Sequence, residues 1–169
     1  MPKKVNGFTL IELLVTIAII ATLSVIGIVV YKEVFKNSRD GKRQADLKLI
    51  QSSLEQYHND QFYYPTRTPG NGAPCNSGAF KIGCPLKNLA GDKNYLNVIP
   101  NDPGFDPSTG LPTYYYDTKP GSAQPCENDP TKCKTFCVYA IMENQPTSQL
   151  SADCPSFPSG GYNFLVTPP

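Results

Sequence analysis

The stretch KKVNGFTLIELL, residues 3–14, leads from a short basic segment into a long apolar one. Glu12 is the only charged residue between Phe8 and Tyr31. A helix of that length, at about 1.5 Å of rise per residue, measures about 36 Å and can cross a hydrocarbon layer of about 30 Å. Residues 8–31 are therefore predicted to form a transmembrane helix.

Glu12 needs an explanation in such a helix. A carboxylate costs about 2.5 to 3.5 kcal/mol at the centre of a bilayer, and less near the interface. We therefore expect the Glu12 carboxylate to have a partner.

Residues 3–14 resemble the processing site of type IV pilins and of the pseudopilins of type II secretion. The resemblance implies that prepilin peptidase cuts between Gly7 and Phe8, that Phe8 is then N-methylated, and that the apolar segment stays on the mature subunit. It also implies that Glu12 pairs with the terminal amine of a neighbouring copy during polymerisation. Gly7 lacks a Cβ atom, which would let the backbone enter a narrow protease cleft.

Two other types of N-terminal apolar segment explain fewer of the features of residues 3–31. An ordinary secretory signal has an apolar core of about 7 to 15 residues and a small-x-small cleavage site. A simple membrane anchor explains the apolar run but gives no reason for Gly-Phe-Thr-Leu-Ile-Glu at residues 7–12.

The predicted fold class is α+β, with a long N-terminal helix packed on a small antiparallel sheet whose loops are tied by disulfides. Residues 1–7 are predicted to be a leader peptide, 8–31 the transmembrane and polymerisation helix, 32–60 an amphipathic stem helix, and 61–169 a loop-rich β head domain. Residues 39–65 also resemble the stem-to-head passage of major pseudopilins and related small pilins, and residues 95–103 followed by 114–117 resemble the loop that leads into the small sheet of that family.

An apolar stripe runs along the predicted stem, in which residues 32–60 contain no proline. Its members recur at near-helical spacing and are expected to face the head. They are Ala45, Leu47, Ile50, Leu54 and Tyr57. The charged residues of 32–60 are of both signs in mixed order, and we expect them to lie on a solvated face.

The head is predicted to be made of short strands and turns, because 16 of the 17 prolines and 10 of the 13 glycines lie in residues 61–169. Residues 114–118, 135–143 and 161–167 are rich in aromatic or β-branched side chains. We expect them to form a three-stranded antiparallel sheet with one face on the stem stripe.

All six cysteines fall in the head, which indicates an oxidising compartment and three disulfides. They are Cys75, Cys84, Cys126, Cys133, Cys137 and Cys154. Six cysteines allow 15 pairings, among which Cys75 with Cys84 would close a local loop. A zinc site is the alternative, but no Cys-x-x-Cys pair occurs.

The charge distribution gives conflicting evidence on topology. Two lysines precede the apolar segment, whereas five basic residues follow it between Lys32 and Arg43, so a positive-inside count would place the head in the cytoplasm. The leader resemblance and the cysteines favour the opposite orientation, in which an inner-membrane protein with one span carries a periplasmic or extracellular head. Removal of residues 1–7 would leave 13 basic and 14 acidic side chains, which does not favour a nucleic-acid partner.

Catalysis and cofactors have little support in the sequence. His58 is the only histidine, and no serine or cysteine motif of a nucleophile surrounds it. Acidic residues occur in the head at Asp102, Asp106, Asp117, Glu127 and Asp129. Their spacing matches no calcium-binding loop. A calcium site is therefore kept only as an alternative. No other cofactor is expected.

The sequence therefore predicts a structural subunit of a type IV pilus or a type II secretion pseudopilus, and not an enzyme. Its expected partners are copies of itself in a helical filament, prepilin peptidase, an inner-membrane assembly platform and membrane lipid. The alternative is a minor pilin or a membrane-tethered binding or adhesion module. The sequence does not choose between pilus and pseudopilus.

Overall fold

The structure is a computed structural model that divides the chain into two compact units, Met1–Ser38 and Arg39–Pro169. It describes residues 7–67, 75, 79–109, 113–119, 133–144, 147–152, 154 and 157–169.

One helix, α1, extends from Leu10 to Gln61. No proline interrupts these 52 residues, so every backbone N–H beyond the first turn can bond within the helix. The N-terminal part of α1 has the length and the apolar composition of a membrane span. The large apolar side chains between Leu10 and Val34 whose exposure is described are all exposed, which is the state expected of a surface that lipid or another helix covers.

The second unit contains a three-stranded antiparallel sheet. Its strands are β5 (Tyr115–Lys119), β6 (Thr135–Ala140) and β7 (Phe164–Val166), with β6 in the middle. Tyr115 pairs with Tyr139, and Val138 pairs with Val166. The predicted three-stranded sheet is therefore confirmed, although the second and third strands are shorter than the sequence pattern indicated.

Four shorter strands complete the described secondary structure. β1 (Thr66–Arg67) pairs in parallel with β2 (Ala79–Phe80), and β3 (Leu86–Lys87) pairs antiparallel with β4 (Asn94–Leu96). No pattern in the sequence predicted these four strands.

The core of the second unit lies between the C-terminal half of α1 and the sheet. Its largest cluster includes Leu47, Ile50, Leu54 and Tyr57 of α1 together with Phe136 and Val138 of β6. The predicted α+β fold, with a long helix packed on a small sheet, is thus confirmed.

The predicted stem stripe is wrong at Ala45, which is exposed. Helical residues that are two positions apart in sequence lie about 200° apart around the helix axis. Ala45 therefore cannot share a face with Leu47. The buried positions that precede Leu47 are polar: Asp40, Arg43 and Asp46. The expected solvated face of the stem is therefore also wrong at these three residues.

Two disulfides join described cysteines. Cys75 pairs with Cys84, with their Cα atoms 5.6 Å apart, and Cys137 pairs with Cys154 at 6.1 Å. The second bridge ties β6, the middle strand, to the segment that precedes β7. Cys133 is also disulfide-bonded, and Cys126 lies outside the described residues.

Candidate assembly site and the charged cluster of the head

The N-terminus of α1 is closed by a reciprocal pair of hydrogen bonds between Thr9 and Glu12. The Thr9 backbone N–H and hydroxyl donate to Oε2 of Glu12, at 2.8 and 2.7 Å, and the Glu12 N–H donates to the Thr9 hydroxyl oxygen at 3.3 Å. This is a capping box, in which residues three apart satisfy each other's backbone groups at a helix start. The pattern T9-L-I-E12 is the sequence signal for this box, and the role of Thr9 was not predicted.

The capping box gives Glu12 a partner within its own chain, but only at one oxygen. In the part of the chain that the structure describes, Oε1 of Glu12 accepts no hydrogen bond. The carboxylate can therefore remain bonded to Thr9 through Oε2 and present Oε1 to a donor from outside.

The residues at the expected cleavage site are open to solvent. Gly7 is exposed, and the side chain of Phe8 is 84% exposed. A Cβ atom added to Gly7 would meet no heavy atom within 4 Å, so the fold itself does not require glycine at this position. Residues 1–6 of the leader lie outside the described part of the chain.

The second unit holds a buried cluster of charges around Arg43. Its guanidinium makes two parallel hydrogen bonds to Asp102, from Nε at 2.8 Å and from Nη2 at 3.0 Å, and Nη1 donates to Asp40 at 2.7 Å and to Glu143 at 3.0 Å. Only 3% of the Arg43 side chain and 1% of the side chains of Asp40 and Asp102 are exposed. Arg39, at the surface, makes two further bonds to Glu143.

These contacts set the protonation of the cluster. Burial opposes charge on Asp40, but N–H groups of Glu143 and Asn144 and the Arg43 guanidinium bond to its carboxylate and lower its pKa. Hydrogen bonds from Arg39, reinforced by Arg43, lower the pKa of Glu143 to about 2. Both carboxylates are therefore ionised at neutral pH, and the cluster joins α1 to the loop at Asp102 and to the segment after β6.

The three described acidic residues that were considered for calcium form no common site. Asp102 is bound to Arg43, while Asp106 is exposed and accepts hydrogen bonds from the backbone N–H and hydroxyl of Ser108. Asp117 lies on β5, and Glu127 and Asp129 fall outside the described residues. Within the described ranges, no three His, Cys, Asp or Glu side chains are placed to hold a metal ion.

His58 takes part in a packing contact. Its ring stacks on that of Tyr64 with the centroids 4.5 Å apart. Tyr64 in turn donates a hydrogen bond to Glu55, so this part of the helix surface is organised around aromatic packing.

Residues 2–28 match the family model of the prokaryotic N-terminal methylation motif. The chain therefore carries the N-terminal signature of type IV pilins and pseudopilins, and this motif is typical of structural, non-enzymatic proteins. The motif and the apolar helix together fit a membrane-anchored, pilin-like protein. No curated protein and no solved structure matches the chain.

Proposed function

We propose that the chain is a structural subunit of a helical filament, either a type IV pilus or a type II secretion pseudopilus. The observation that carries this proposal is the methylation motif at residues 2–28, followed directly by a helix whose apolar side chains are exposed. A helix of this kind can exchange lipid for the corresponding helices of other copies, so that the same segment serves first as an anchor and then as the filament core.

Processing comes first in the proposed cycle. Prepilin peptidase removes residues 1–7, and Phe8 becomes the methylated N-terminus. The exposure of Gly7 and Phe8 is consistent with access by a membrane protease. The head then stands outside the inner membrane, where its disulfides are stable.

Assembly depends on Glu12. Helices in lipid gain no hydrophobic energy from meeting one another, so packing and polar contacts must favour association. In the waiting subunit Thr9 satisfies Oε2 of Glu12, and in the filament the amine of Phe8 from a neighbouring copy binds Oε1. The inner-membrane assembly platform supplies the work of extracting the helix from lipid.

Substitution of Glu12 tests this role. Glu12→Ala should leave the subunit inserted and processed but reduce the yield of filaments, measured by shearing cells and by electron microscopy. Glu12→Gln is the matched control, because an amide oxygen can still accept both bonds from Thr9 but carries no charge. A low yield in both variants supports the ionic role, whereas a normal yield in Glu12→Gln would assign Glu12 to helix capping alone.

Substitution of Gly7 tests the cleavage site. Gly7→Leu should leave the leader attached, as read by mass spectrometry of the intact subunit. Gly27→Leu is the control, because a Cβ atom at Gly27 also meets nothing within 4 Å, and this variant should be cut normally. A mature N-terminus at Phe8 in the Gly7→Leu variant would refute the proposed site.

A further inference from the structure

We propose that a cavity of about 300 Å³ in the second unit binds a small organic carboxylate with a flat apolar body. The cavity lies between β1, β5, the end of β2 and the loop around Phe105, and its lining includes Arg67, Lys81, Asn101 and Tyr115. Its volume is at the lower end of the range for ligand sites, which suits one ring with one anionic group. This inference is independent of filament formation.

The walls of the cavity are largely aromatic. Phe80 stacks on Tyr116 with the ring centroids 4.0 Å apart, and both side chains are only 3% exposed. The Tyr116 hydroxyl donates to the backbone oxygen of Pro65 at 2.7 Å, which fixes that ring. Phe105 is half-buried in the loop opposite. Phe80 and Tyr116 are therefore the packed floor of the cavity. The ring surface that a flat ligand can reach is that of the half-buried Phe105 and Tyr115.

The described lining of the cavity carries charge of one sign. Arg67 and Lys81 are part of it, and none of the described lining residues is acidic. Neither cation takes part in an ion pair among the described residues. A site with two cations and no carboxylate among its described residues is complementary to an anion.

Arg67 is held in position to receive that anion. Its guanidinium lies over the ring of Tyr115, 4.8 Å from the centroid, and Nη1 donates to the Tyr115 hydroxyl at 2.5 Å. The remaining N–H groups of a guanidinium form a planar fork that fits a carboxylate in two parallel bonds. Lys81 is a second cationic residue of the same lining.

The two cations of the lining favour an anionic ligand over a neutral polyhydroxylated one. Asn101 and Thr113 could bond the hydroxyls of a neutral sugar, but such a ligand would leave both cations without a counter-charge. The geometry therefore points to an aryl carboxylate, with its ring on the aromatic wall and its charge toward Arg67 and Lys81.

Isothermal titration calorimetry of the full chain in non-ionic detergent tests this inference, with benzoate as the probe and detergent alone as the blank. We expect saturable binding with a Kd on the order of 1 mM or below. Benzamide has the same shape without the charge and should bind about tenfold more weakly or not at all. Binding of galacturonate or inorganic phosphate as tightly as benzoate would overturn the proposed ligand class, and so would the absence of saturable benzoate binding.

Three variants locate the site. Arg67→Met and Lys81→Met should each weaken benzoate binding about tenfold, while Lys87→Met, on β3 and outside the lining, should leave it unchanged. Equal binding by all three would place the ligand elsewhere and refute the site. Arg67→Met also removes a bond to Tyr115, so circular dichroism checks its fold. Lys81 makes no side-chain hydrogen bond within the described residues, and its variant gives the result even if Arg67→Met unfolds.

Discussion

Arg43 is a charged residue of the stem that the fold uses as a core residue. Sequence pattern alone places it among many mixed charges, where a solvated position is the usual outcome. In the structure its guanidinium meets three carboxylates, and two of them, Asp40 and Asp102, are almost completely buried. The partner Asp102 is 59 residues away in sequence, so no local pattern could have indicated the pair.

Arg43 and Arg39 form a natural comparison, because both bind Glu143 but only Arg43 is buried. Arg43→Met should reduce the free energy of unfolding by roughly 3–5 kcal/mol, because it leaves two buried carboxylates without their cation. Arg39→Met should cost much less, since solvent screens its pair. Urea unfolding of the two variants measures the difference, and equal losses would contradict the burial argument.

Glu143 gives the second unit a defined dependence on pH. Its pKa is about 2 in the folded state and 4.5 in the absence of its partners, so the unfolded state takes up a proton first as the pH falls. The stability that Glu143 contributes is therefore complete above about pH 4.5 and is lost as the pH approaches 2. At pH 7, the free energies of unfolding of the natural chain and of the Glu143→Gln variant, measured with urea, should differ by about 1 kcal/mol or less.

The sign of that difference is the critical point. The natural chain should be the more stable of the two at pH 7, and the difference between their free energies of unfolding should shrink below about pH 4.5 and vanish as the pH falls through about 2. A difference that stays constant from pH 7 to pH 3 would show that Glu143 acts through packing and not through its charge.

At the scale of secondary-structure elements, the sequence indicated the helix and the strands that are long or have a strong residue pattern. α1 was predictable because the apolar run and the proline-free stem are continuous, and β6 because TFCVYA contains mostly residues that favour strands. β1 to β4 have two or three residues each, which is too short for any periodicity to appear. Their pairing depends on tertiary contacts, and a parallel pair such as β1 with β2 leaves no local signal.

The end of α1 is an element boundary with a measurable cost. Phe62 follows the last helical residue with φ of +64°, a left-handed conformation, and its N–H donates to the carbonyl of His58 at 2.7 Å. Glycine usually occupies such a position because it has no Cβ atom to clash. The Phe62 side chain is 73% exposed, so burial offsets little of the strain.

Phe62→Gly should therefore raise the free energy of unfolding by about 1 kcal/mol. Phe62→Ala is the matched control, because it removes the same ring but keeps a Cβ atom in the left-handed conformation, and its stability should remain near that of the natural chain. Thermal unfolding measures both. If alanine stabilised as much as glycine, the exposed ring and not the backbone would be the source of the strain.

At the scale of the whole molecule, the covalent bonds of the second unit bear on its topology. The basic residues that follow the apolar segment favour a cytoplasmic head, but Cys75–Cys84 and Cys137–Cys154 are disulfides, which persist in oxidising compartments. The disulfides and the leader motif depend on separate parts of the chain and agree with each other. The charge count is a statistical tendency of short loops, so it carries less weight here.

Accessibility of introduced thiols tests this orientation in cells that lack prepilin peptidase, so that the leader remains. Leu89 is 64% exposed, and Leu89→Cys should react with a membrane-impermeant maleimide once the outer membrane is permeabilised. Lys3→Cys should react only after the inner membrane is opened as well. The natural chain is the control and should not react on either side, because no cysteine in the described part of the chain is free. The reverse labelling order would place the head in the cytoplasm, where its disulfides would be reduced, and filament assembly outside the membrane would then be impossible.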